Sequence, residues 1–240
     1  MSFDSNVKRR EPESAGDALQ VSPSDALFGH VANPVFPCVG SKAALAKGAI
    51  RTIELSRLGH PFNAARLHRR LAMFARDVDA RDAADSTVHS MVALFPGSSA
   101  MDESAFEAAL WTQLRELHAI DVAGDVPWNP SVSADPASPQ FSMSIAGHAF
   151  FVIGLHPGAS RIARRFEMPA LVFNSHVQFD RLKADGRYAK MQTATRERDV
   201  ALQGSINPNL ADHGQASEAR QYSGRAVGDA WRCPFSGAGA

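Results

Sequence analysis

Two short apolar runs separated by one glycine constrain this chain most. FSMSIAG (141–147) and HAFFVIGL (148–155) meet at Gly147, and both mix aromatic and β-branched residues. That pairing reads as a β-hairpin. A hairpin this apolar on both faces cannot stand alone, so the rest of the chain must supply strands beside it and helices over it.

Candidates for both are present. AIRTIELSRLG (49–59), STVHSMVALFPG (86–97) and PALVFNSH (169–176) read as further strands. HPFNAARLHRRLAMFARDVDA (60–80) places Phe62, Ala65, Leu67, Leu71 and Phe74 at helical spacing. SAMDESAFEAALWTQLRELHAID (99–121) carries acidic residues in its first turn and sets Phe106, Leu110, Leu114 and Leu117 on one face. FPCVGSKAALAKG (36–48) suggests a short helix through Ala46 capped by Ser41. Residues 177–204 read as helical stretches broken near Gly186. The order β-α-β-α-β-β-β-α predicts an α+β fold, a single domain with a largely antiparallel sheet and helices packed on it. A long irregular C-terminal segment follows from residue 205, and a loop of that length in a compact domain is usually functional. We expect residues 1–25 to be a disordered N-terminal segment, 26–235 a single domain and 236–240 a loose tail.

Several function classes fall away. Twenty-five basic and 25 acidic residues cancel, so nothing in bulk charge suits nucleic acid. No apolar run is long enough to span a bilayer, and the polar N-terminus lacks the apolar core of a signal peptide. Two cysteines make no disulfide framework. The expectation is a cytoplasmic protein with no nucleic-acid or membrane partner. GxGxxG, GxxxxGK[ST], HExxH and GxSxG are all absent.

The chemistry-bearing residues gather after the hairpin. GLHPGASRIARRF (154–166) sets His156, Arg161, Arg164 and Arg165 where a strand leaves the core. Those guanidinium groups suit carboxylates or phosphates; the plainer alternative is a solvated basic face. His176 also sits at a strand end, and two histidines leaving neighbouring strands can share a pocket or be independent surface groups. Cys38, ahead of a helix, lies where backbone N–H groups suit a thiolate, although a buried inert cysteine is commoner. Glu218, in SEARQYSG, could face a cation or form a surface ion pair.

The colinear segments FPCVGSKAALAKG, WNPSVSADP, FFVIGLHPGASRIARRF, PALVFNSHVQF, SEARQYSG and WRCPF resemble the YqcI/YcgG family from about residue 28 to 235. The likeness is greatest to its branch of haem-dependent guanidine N-hydroxylases, such as the guanitoxin-pathway enzyme. The resemblance implies haem b, dioxygen or peroxide as oxidant, a small guanidine (arginine-like) or amine substrate, and an external electron donor, since no flavin or ferredoxin domain is attached. It also implies an iron ligand, with His156 the first candidate and Cys38 and His176 the alternatives. Arg161 and Arg164 would hold haem propionates, and Arg165 those or a substrate carboxylate. Glu218 would bind the guanidinium, since a buried cation needs a counter-charge. Two other readings stay open: a non-haem iron oxygenase using His156, His176 and a carboxylate such as Asp180, and a haem-binding protein without catalysis. A homodimer is the default expectation for oligomeric state.

Overall fold

The structure, a computed structural model, describes residues 21–81, 85, 87–211 and 214–235. The expected loose tail, residues 1–20 of the expected disordered segment and His213 lie outside the described residues. Residues 23–25 do not. They open helix α1 (Pro23–Ala32), where the Ser22 side chain accepts the Asp25 N–H and Pro23 takes a first-turn position. Proline is preformed for that position and its missing N–H costs nothing there. Leu27 and Val31, one turn apart, are buried.

Five strands form one sheet in the order β1-β2-β5-β4-β3, made of β1 (Ile50–Glu54), β2 (Ser90–Leu94), β3 (Met143–Ile145), β4 (His148–Leu155) and β5 (Ala170–Ser175). Only β1 and β2 pair in parallel; the other pairs are antiparallel. The α+β class and the largely antiparallel sheet are therefore as the sequence predicts. The hairpin turns at Ala146 and Gly147, with φ of 54° and 71°. Two left-handed residues in a row make the turn whose twist suits the flanking strands. Ala146 carries a Cβ in that region, and its N–H is held by the Asp121 carboxylate at 2.8 Å.

Residues of opposite parity divide the sheet into two unlike faces. Met91, Ala93, Phe150, Val152, Leu171 and Phe173 join the main core beneath α3 (Phe62–Asp79) and α4 (Glu103–Ala123). There Leu67, Leu71, Phe74, Leu110 and Trp111 are 0–1% exposed. Phe62 corrects the sequence reading: it is 86% exposed, because it opens α3 on the side turned from the sheet. The irregular C-terminal segment, interrupted among the described residues only by α7 (Ala219–Tyr222), closes this core from the side with Tyr222 and Phe235. Burial pushes the Cys233 thiol there up to about 12, which suits packing rather than chemistry.

The second face carries Val92, Leu94, Ile153, Leu155 and Val172. Over it lie α1, α2 (Val39–Ala46), α5 (His176–Ala184) and α6 (Arg187–Gln203). The break expected near Gly186 is there: Gly186, at φ 72°, separates α5 from α6. No helix among the described residues is long and apolar enough to cross a membrane.

Candidate functional site

The second face is incompletely filled. Between it and the helices lies a cavity of about 330 Å³, at the small end of the range for ligand sites. Its floor is the apolar side of β2, β4 and β5, and its cover comes from α1, α2, α5, α6 and the C-terminal segment. Strand parity decides which sheet residues reach it. Phe151, Ile153, Leu155, Val172 and Asn174 line the cavity, while their immediate neighbours pack beneath α3 and α4.

The predicted residues divide between the cavity and other surroundings. Cys38, His176, Glu218, Arg161 and Arg164 all line the cavity. Cys38 caps α2 in place of Ser41, since its Sγ receives the Ser41 N–H at 3.4 Å and the Ser41 hydroxyl at 3.2 Å. His176 opens α5 and is buried, with Nε2 2.7 Å from Ser142 Oγ and 3.1 Å from Glu218 Oε2. The Ser142 hydroxyl also donates to the Phe150 carbonyl, at 2.9 Å. It therefore accepts from Nε2, and the serine, histidine and carboxylate form one buried polar cluster.

The arginines divide. Arg161 is buried and spent on Asp199 Oδ2 at 2.5 Å and the Ser205 carbonyl at 2.9 Å. Arg164 donates to the carbonyls of Gly154 and Gln221, at 3.0 and 3.1 Å, and so ties α7 to β4. Burial lowers its pKa to about 10, which still leaves it charged at neutral pH. Arg165 is exposed, bonds the carbonyls of Ala159 and Ser160, and does not line the cavity.

His156 does not reach the cavity either. It follows Leu155 with the opposite parity, and its ring stacks on Phe106 of α4, centroids 4.2 Å apart at 15°. Only 1% is exposed, and among the described residues neither ring nitrogen has a hydrogen-bond partner. Burial pushes its pKa down, so the neutral ring is the stable one. Asp180, third member of the alternative iron triad, has a side chain 69% exposed and paired with Lys183. Among the described residues no three His, Cys, Asp or Glu side chains converge as a bare ion requires.

Three contributors had no sequence signal strong enough to single them out. Asp199 sits in an ordinary charged helix, RERDV, and reaches the cavity only through tertiary packing. Ser142 stands just before β3 and Asn174 near the end of β5, buried polar positions in mostly apolar runs. Asn174 accepts the Ser90 hydroxyl at 2.6 Å on the cavity floor.

Fold and site together define an α+β protein whose sheet is packed solid on one face and holds an apolar, polar-edged cavity on the other. Residues 28–236 match the profile of the YqcI/YcgG family, and the chain belongs to that family. No curated protein and no solved structure matches it.

Proposed function

We propose that the cavity binds haem b and that the protein is a haem-dependent oxygenase hydroxylating a guanidine or amine nitrogen of a small molecule. The observation that carries this reading is the convergence of Cys38, His176 and Glu218 on one mostly apolar cavity. A haem brings four of its own iron ligands, so the protein need supply only one strong donor. Cys38 suits that role better than His176. The Cys38 sulfur already accepts two hydrogen bonds, the kind of outer contact that tunes a thiolate ligand. Nε2 of His176 is engaged by Ser142 and Glu218. His156, the first candidate from sequence, faces α4 instead.

The apolar floor of Ile153 and Val172 suits a porphyrin face, and Arg164 offers positive charge for propionates. The cavity must widen to admit a macrocycle. Helix α6 is the wall least committed to the core, since none of its residues is fully buried and Gly186 and Gly204 bound it in left-handed conformation.

When bound, haem would supply dioxygen or peroxide activation, with electrons from an external donor. The chain's own residues would position the substrate. Glu218 accepts a guanidinium in a charge-assisted pair. His176, with Nε2 3.1 Å from Oε2, orients that carboxylate toward the substrate.

Absorption spectra of protein expressed with haem precursor test the reading. A ferrous carbon monoxide complex with its Soret band far to the red, lost in Cys38→Ala, is the expected result. A modest shift that survives Cys38→Ala and disappears in His176→Ala would move the ligand to His176. Folded protein with no Soret band would end the haem proposal. A Soret band with no substrate-dependent shift and no hydroxylated product would leave a haem carrier.

A further inference from the structure

We infer that the outer face of α3 is a docking surface for an acidic protein partner. Phe62, Arg66, Arg69, Arg70, Met73 and Arg76 recur at helical spacing along one stripe, and all six are exposed. The stripe runs roughly 20 Å at 1.5 Å per residue. Its two apolar members stand well out of the surface, Phe62 at 86% and Met73 at 43% exposure. Among the described residues none of the four arginines has a hydrogen bond or ion pair to a carboxylate. The acidic residues of α3 are committed elsewhere, Asp77 to Arg51 at 2.5 Å and Asp79 to His148 at 3.4 Å. A helix that pairs its acids away from a row of guanidinium groups leaves a concentrated positive field on an otherwise neutral chain.

The chemistry of the stripe selects the partner. Apart from His68, the cations of α3 are all arginine, the residue that grips carboxylates bidentately and is enriched at protein interfaces where lysine is depleted. Aromatic and methionine side chains share that enrichment. A membrane surface fits less well, because the apolar side of α3 that would enter lipid is already packed in the core. A second copy of the chain fits less well too. A two-fold contact through α3 would set arginine against arginine. What remains is a carboxylate-rich protein surface with an apolar centre, met by a small, charge-steered interface. This inference stands apart from the haem reading, since α3 lies across the sheet from the cavity.

The probe is a fluorescently labelled peptide of alternating Asp and Glu around one central Leu, titrated against the full chain and read by anisotropy. Wild type should bind it, more weakly as salt rises. R66E/R69E/R70E should weaken binding at least about tenfold, and F62S about threefold. The exposed α6 variant K190E, serving as a charge control, should leave binding unchanged. Thermal melts of each variant establish that it is folded. No binding, or binding indifferent to the triple reversal, overturns the inference. So does triple-variant loss of association with phosphatidylserine vesicles or a DNA duplex but not with the peptide, or a change in the chain's own oligomeric state.

Discussion

The two faces of the sheet use the same strands and arrive at opposite results. Beneath α3 and α4, Phe150, Val152 and Phe173 are fully buried in a continuous core. One residue along, Phe151, Ile153 and Val172 border a cavity under α1, α2, α5 and α6. The difference lies in the covering helices. Eight residues of α4 are buried, whereas α6 buries none and is held by polar contacts such as Arg161 with Asp199 and the Gln203 side chain with the Ile162 N–H. Stability resides on the first face and recognition on the second, because close packing and an accessible cavity exclude each other at one surface.

The contrast breaks most visibly by truncation. Phe173→Ala should cost about 3–5 kcal/mol of unfolding free energy. The adjacent Val172→Ala, at a half-buried cavity position, should cost about 1 kcal/mol. Equal losses in chemical denaturation would mean the cavity face is as tightly packed as the other. Next in size is Gly154→Ala. Its Cβ would stand 2.6 Å from Phe106 Cε1 and 2.9 Å from the Tyr222 carbonyl oxygen, an overpacking that should cost about 1–3 kcal/mol.

A pH effect sharpens the comparison further. Burial lowers the pKa of His156, and likewise of His30, His118 and His148. The unfolded chain protonates these rings near pH 6.5 while the folded chain resists. Their contribution is therefore complete above that pH and is lost as pH falls through the folded values. Each costs stability as the pH drops below that range. His156→Phe keeps the stack on Phe106 and should flatten the acid limb of the stability curve without touching a Soret band. Loss of that band would return the iron to His156. The smallest effect belongs to Phe62→Ser, which should move the melting free energy by less than about 0.5 kcal/mol. A larger loss would show that Phe62 gains more than its edge contact with His60, centroids 4.9 Å apart.

Most of the fold was legible in sequence because its signals are local. The hairpin at Gly147, the long amphipathic α4 and the break at Gly186 follow from turn chemistry and periodicity within a few residues. Helix α1 was legible in principle, since Ser22 and Pro23 form a start signal, yet the polar composition of the preceding residues masked it. The grouping of Cys38, His176 and Glu218 was readable only as separate suspicions, because no spacing rule connects positions so far apart in the chain.

What the sequence determined by itself is therefore the strands and the longer amphipathic helices, the α+β class and the residue types able to do chemistry. What only the tertiary structure decided is which of them face one another. His156 and Leu155 are neighbours in the chain and point to opposite sides of the sheet. A strand assigns its side chains by parity, but which parity meets a solid core and which a cavity depends on helices packed from elsewhere in the chain.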